Sequence, residues 1–304
     1  MAFTAKDVQT LREMTGVGMM DCKKALAASD GDMEKAVEFL REKGLAAAQK
    51  KAGRIAAEGV VEAIVDKNGV GAVVEVNSET DFVAKNESFR QFVSDIAAVV
   101  AEKDPADLDA LMALPYPGSD KTITEMQQEK VLVIGENIKI RRFARYATGY
   151  NVAYVHMGGR IGVIVNMEVS GSLKDNPAVH ELGKDICMQI AAMRPLYLDS
   201  TAVPADTVES EKHILMEQVM QEGKPAQVAE KIVAGRINKF FEEVCLMNQA
   251  FVKENKITVE KHVQQVAKEL GGSIAVKAFT RYEKGEGIEK KSCNFAEEVA
   301  GMVK

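Results

Sequence analysis

Two stretches, residues 61–76 (VEAIVDKNGVGAVVEV) and 152–169 (VAYVHMGGRIGVIVNMEV), carry the same pattern of apolar strand, glycine turn and apolar strand. β-Branched runs broken by glycine read as hairpins, and a pattern that recurs at a fixed distance reads as a duplicated unit. Gly71 corresponds to Gly162, 91 residues further on. Each hairpin leads into an apolar-striped helix, predicted over 87–101 and about 178–193, and each half closes on a similar strand, IKIRRF at 138–143 and IAVKAF at 274–279. The closing strands are 136 residues apart, so the second half carries about 45 extra residues. An α+β fold with a duplicated core of antiparallel sheets follows.

The extra residues fall between Pro204 and Leu246 and show two helical patterns, 208–221 and 226–243. Glu222-Gly223-Lys224-Pro225 is a breaker that neither helix can absorb, so an inserted antiparallel hairpin is expected. Its seam as a short coiled coil would set Ile214, Leu215 and Val219 against Val228, Ile232 and Val233. At the other end, three short helices are predicted. Thr4 caps the first, with Val8, Leu11 and Met14 on its apolar side; Gly16 and Gly18 break it; Cys22, Ala25 and Leu26 mark the second; Asp30-Gly31-Asp32 turns into the third, which carries Ala36, Val37 and Leu40 and closes at Gly44. The expected division is residues 1–54 for this module and its Ala-rich basic linker, and 55–149 for the first half of the core. Residues 150–203 with 246–284 form the second half, 204–245 the hairpin, and 285–304 a C-terminal module whose Phe295, Val299 and Met302 suggest a last helix.

Composition excludes several classes. A net charge of −6 argues against a general nucleic-acid binder. Cys22, Cys187, Cys245 and Cys293 are widely spaced, with no C-x-x-C pair and no nearby histidines, so neither a zinc site nor a disulfide framework is suggested and a reducing cytoplasm fits. No stretch has the apolar length of a signal peptide or a membrane span. Phosphate-loop, zinc-protease and nucleophile-elbow motifs are missing, and no cofactor or metal is implied. Glu79 and Asp81 form a carboxylate pair for which no third ligand is evident. Lys139, Arg141, Arg142 and Arg145 alternate with apolar residues, as a phosphate-binding stripe or, more simply, the solvated face of a half-buried strand.

After the first hairpin comes EVNSETDFVAK, residues 75–85. It allows two readings. Phe82 lies seven residues before Phe89, so it can extend the buried stripe Phe89, Phe92, Val93 and Ile96 on one continuous helix. Alternatively, Asn86 caps a new helix and leaves Thr80, Asp81, Phe82 and Val83 as a separate turn at the end of the sheet. The second half has Gly171-Ser172-Leu173 at this point and no Asp-Phe pair. Met19 and Met20, beside the glycine loop, suit either a partner surface or a core, and His156 taken alone reads as a surface or hydrogen-bonded histidine.

EVNSETDFVAK and LREMTGVGMMDCKKAL (residues 11–26) together resemble the signatures of the elongation factor Ts family, in order and at the expected distance. The similarity continues through RIGVIV (160–165), GKPAQVAEKIVAGRINKF (223–240) and GEGIEK (285–290), and so covers almost the whole chain. It departs at Ala250, where relatives commonly have proline. The resemblance implies a UBA-like N-terminal module and a translation factor that binds elongation factor Tu, GDP-bound or nucleotide-free, in a one-to-one or two-plus-two assembly. Such a factor promotes GDP release without covalent chemistry, direct nucleic-acid contact or a membrane. It further implies Mg²⁺ dislocation by Thr80, Asp81, Phe82 and Val83, and docking through Arg12, Met19, Met20, Ile134, Gly135 and His156. The alternative is an adaptor that binds a GTPase without exchange.

Overall fold

The computed structural model describes residues 3–289. It opens with helices α1 (Ala5–Thr15), α2 (Met19–Ala28) and α3 (Met33–Lys51). Thr4 and Asp7 form a reciprocal capping box, Gly16 ends α1 in the left-handed conformation and Asp32 caps α3. Val8, Leu11, Cys22, Leu26 and Leu40 close a core of their own. Met14 departs from expectation and is exposed, because the buried stripe of α1 runs through Val8 and Leu11 to half-buried Thr15 and leaves it on the flank. Nor does α3 stop at Gly44. The alanines that follow propagate the helix, and Gly44 is buried where α3 lies against a helix of the first half, near Gln128 O.

The first half contains β1 (Glu58–Val65), β2 (Gly71–Ser78), the one-turn α4 (Asp81–Ala84), α5 (Glu87–Lys103), α6 (Leu108–Ala113), α7 (Ile123–Ile134) and β3 (Lys139–Tyr146). In the second are β4 (Tyr150–His156), β5 (Ile161–Val169) and α8 (Pro177–Met193), then α9 (Ala205–Gln221) and α10 (Ala226–Val244). The short pair β6 (Ala250–Phe251) and β7 (Glu254–Thr258), α11 (Val259–Glu269) and β8 (Ile274–Glu283) complete it. Each half has one antiparallel three-stranded sheet, ordered β1-β2-β3 and β4-β5-β8, so the mixed α+β architecture is as expected. Ala250, the family departure, sits in β6 opposite Thr258, and its carbonyl accepts from Gln189 Nε2 at 3.1 Å.

Helix α5 covers the outer face of the first sheet with Phe89, Phe92 and Ile96, and α8 covers the second with Val179, Leu182 and Ile186. The inner faces meet at Val61, Ala63, Val73 and Ile164. The repeated glycines set that approach: a Cβ on Gly162 would stand 2.5 Å from Val61 Cγ1, and one on Gly71 3.2 Å from Ile164 Cγ2. A sheet covered on both sides buries its central strand throughout, which is why β2 shows no alternation.

The arginine face is corrected by the same geometry. Beyond exposed Lys139, the residues of β3 are not a solvated stripe: a bulge between Glu75 and Val76 breaks the alternation and turns Arg141 and Arg142 onto the same fully buried Glu75 carboxylate, at 3.1 and 2.6 Å. Gly285 N also donates to Glu75 at 2.7 Å, and the Arg142 guanidinium lies 4.1 Å from the centre of the Tyr282 ring, so the end of the second half is keyed into the first. In the helical hairpin, Leu215 and Val219 pack with Ala229, Val233 and Ile237, four residues apart along each helix. Ile214 and Val228, expected in the seam, sit one position off these rows and face outward. The tail helix expected around Phe295, Val299 and Met302 lies outside the described residues.

Candidate functional site, a projecting turn and its mounts

The chain leaves β2 at Ser78 and enters a single helical turn. Thr80 caps it, with its hydroxyl accepting from Val83 N, and Asn86 caps α5 by accepting from Phe89 N at 3.1 Å. Two caps six residues apart forbid a continuous helix, so the separate-turn reading holds and Phe82 leaves the buried stripe. Phe82 is 80% exposed, whereas Val83 and Ala84 tuck into the core below. The repeat makes this informative. Moving 91 residues on from Phe82, as from Gly71 to Gly162, reaches Leu173, which is 4% exposed and packs in the second core. One half covers its sheet end with an aliphatic side chain; the other points an aromatic outward.

The turn is held from both ends. Glu136 accepts from Glu79 N and Thr80 N at 3.0 Å each through one oxygen, and from Thr80 Oγ1 at 2.6 Å through the other. That carboxylate also suits the positive end of the turn. Glu79 in turn accepts from Asn137 N at 2.6 Å, and Asn137 Nδ2 donates to Arg54 O at 2.8 Å beyond the end of α3. Thus Ile134, half-buried on α7, and Gly135, its left-handed C-cap, stand directly before the residue that anchors Thr80. At the other end, Arg90 Nε donates to Ala84 O at 3.0 Å and Arg90 Nη2 to Gly158 O at 2.6 Å. Gly158 is in the β4–β5 turn that follows His156 and the exposed Met157. His156 is half-buried, with Nδ1 2.8 Å from the Tyr154 hydroxyl.

The structure therefore links the 80–83 turn, Ile134-Gly135 and His156 through backbone tethers. Arg12, Met19 and Met20 stand apart on α1 and α2, all three exposed, and reach this group by way of α3, which packs along α7 and pairs Arg41 with Glu125 at 3.2 Å. Glu79 and Asp81 do not converge: the first faces Asn137 and Arg54, while Asp81 pairs with Lys85 at 2.6 Å. Hydrogen bonding and charge from Lys85 hold the Asp81 carboxyl below its usual range, so it is an anion already matched by a cation. Among the described residues, no group of three or more His, Cys, Asp or Glu is placed to hold a metal ion, and no helix is long and apolar enough to cross a membrane. Sequence reasoning missed Glu136, Arg90, Asn137 and Met157. Glu136 carries a weak signal in following a helix-stopping glycine; the others carry none.

An exposed aromatic on a tethered turn can enter a pocket on another macromolecule, and it is not an enclosed reaction centre. The family model described as Elongation factor TS matches residues 79–286. Elongation factor Ts of Syntrophotalea carbinolica is 48% identical over the whole length of both chains. The protein of the same name from Clostridioides difficile strain 630 is 50% identical over 99% of each, and that of Clostridium perfringens strain SM101 is 49% identical over 98% of each. The chain belongs to the elongation factor Ts family of translation elongation factors.

Proposed function

We propose that this protein is the guanine-nucleotide exchange factor of elongation factor Tu, acting in the cytoplasm by binding energy alone. The observation that carries this most directly is Phe82, exposed at the tip of a turn whose repeat counterpart is buried. An exchange factor binds the nucleotide-free GTPase more tightly than the GDP form, and reciprocity makes GDP weaken its own binding by the same factor. Phe82 acts as the wedge that enters between partner elements. Asp81 gives up Lys85 as the turn docks and perturbs the surroundings of the partner's Mg²⁺, whose octahedral shell tolerates little displacement. Thr80 and Val83 fix the ends of the wedge.

Arg12, Met19, Met20, Ile134, Gly135 and His156 supply the docking surface. On this proposal residues 1–54 are a UBA-like docking module, 55–149 and 150–203 with 246–284 are the duplicated core, 204–245 is a coiled-coil arm and 285–304 a C-terminal module. Adding this protein at one-twentieth of the concentration of GDP-loaded elongation factor Tu, with excess GTP, tests it. An exchange factor turns over and empties the whole population, whereas an adaptor changes only the stoichiometric fraction that it binds.

A further inference from the structure

Arg90 lies in the first turn of α5, with its backbone N–H donating to Asn86 O at 3.0 Å. Its guanidinium leaves the helix toward two backbone carbonyls that belong to different halves of the duplication. Nε donates to Ala84 O, the last residue of the Phe82 turn, and Nη2 donates to Gly158 O at the tip of the β4–β5 hairpin. Both acceptors are main chain, so the bridge fixes the course of two loops and not a pair of rotamers. A planar fork with donors at separate nitrogens suits this task, and a lysine, with one nitrogen, matches it poorly.

The bridge matters because each loop is held by contacts from outside it. Helix α4 has four residues, and a single turn fixes many dihedral angles for few hydrogen bonds. Glu136 holds its entry and Arg90 its exit. The hairpin tip contains Met157 and Gly158, both in the left-handed region, and is fixed on its far side by Val61 N donating to Gly159 O at 2.8 Å. Arg90 joins the two through one carbonyl from each.

We propose that Arg90 is a positioning residue that couples the Phe82 turn to the His156–Met157 hairpin, so that wedge and hairpin meet the partner as one rigid unit. This rests on the exchange function proposed above and adds to it a residue that acts through others. Misplacing a wedge lowers the rate at which the bound complex releases GDP more than it lowers affinity.

The test compares wild type, Arg90→Met, Arg90→Lys, Phe82→Ala and the double variant Arg90→Met/Phe82→Ala. For each, the maximal rate of GDP release from the GTPase, the half-saturating concentration, the melting temperature and backbone amide exchange are measured. Arg90→Met is expected to lower the maximal rate about tenfold, with half-saturation moving less than about threefold. Arg90→Lys recovers only part of the loss. In the Phe82→Ala background Arg90→Met costs markedly less than in wild type, since the wedge it positions is gone; a purely structural role would lower both backgrounds alike. Amides of Lys85 and Asn86, which donate to Phe82 O and Val83 O, exchange faster in Arg90→Met at an unchanged melting temperature. Additive effects in the double variant, or a maximal rate equal to wild type, overturn the coupling. Should wild type itself fail to stimulate release, the exchange function falls, and unaltered exchange at Lys85 and Asn86 then overturns the positioning role independently.

Discussion

Truncating Phe82 to alanine separates binding from folding, because the side chain is largely uncovered in the free protein. Phe82 is 80% exposed in the free protein. Fully burying a phenylalanine is worth about 1.5–3 kcal/mol, so the fifth already covered contributes only about 0.3–0.6 kcal/mol to stability. The remaining four-fifths, about 1.2–2.4 kcal/mol, is realised only when the ring enters a partner pocket. That converts to roughly an eight- to sixtyfold loss in stimulated release if the ring is engaged as exchange proceeds. The turn should survive, because the tethers use main chain and Thr80, and Lys85 N still donates to the carbonyl of residue 82. Release of a fluorescent GDP analogue from elongation factor Tu, followed beside thermal melting, measures both quantities on one preparation. A melting temperature within about 2 °C of wild type together with a loss of about tenfold or more is expected. Unchanged release by an intact fold would refute the wedge, and a large drop in melting temperature would refute the claim that the ring is free.

Other perturbations probe the frame behind the turn. Glu75→Ala strips Arg141, Arg142 and Gly285 N of a common acceptor with no solvent access, and should cost about 3 kcal/mol in urea unfolding; a loss below about 1 kcal/mol would show that the arginines find water instead. Burial pushes the Cys187 thiol up to about 12, so at about pH 8 a disulfide reagent should leave it unmodified in the native protein and label it on unfolding, as read by peptide mass spectrometry. His262 is stacked on Phe251 with ring centres 4.1 Å apart, and burial lowers its pKa from the ordinary 6.5. The unfolded chain therefore binds this proton first as pH falls. The contribution is complete above 6.5 and is lost as pH drops from there through the folded value. His262→Phe should flatten that part of the profile, and urea midpoints with the same pH dependence in both proteins would exclude His262 as its source.

Most of the local structure is legible from short stretches. Thr4 and Asn86 act as caps as their positions imply, the turn at Asp30-Gly31-Asp32 leads into α3, and the hairpin spacing alone locates the two sheets. Misses occur where distant segments decide. Gly44 resembles a helix stop in sequence but is buried beside α7, so the helix runs past it. Arg141 and Arg142 follow a solvated alternation until a bulge opposite Glu75 and the arrival of residues 282–286 make them an inter-sheet lock. Ile214 and Val228 carry the right hydrophobicity for the seam but the wrong angle.

The same division runs through the candidate site. Sequence by itself determined the duplication, the antiparallel halves, the inserted helical hairpin and the singular Asp81-Phe82 pair, because strand alternation, capping and glycine turns are settled among residues a few positions apart. Whether Phe82 is core or tip was open at that level, since its spacing fits both. Tertiary structure decided it: Glu136 from the end of α7 and Arg90 from α5 hold the turn clear of the helix, and Val83 and Ala84 close the core in its place. Those partners are brought by the fold from different helices, and no local pattern encodes which carbonyl or amide a side chain will meet when the sheets come together.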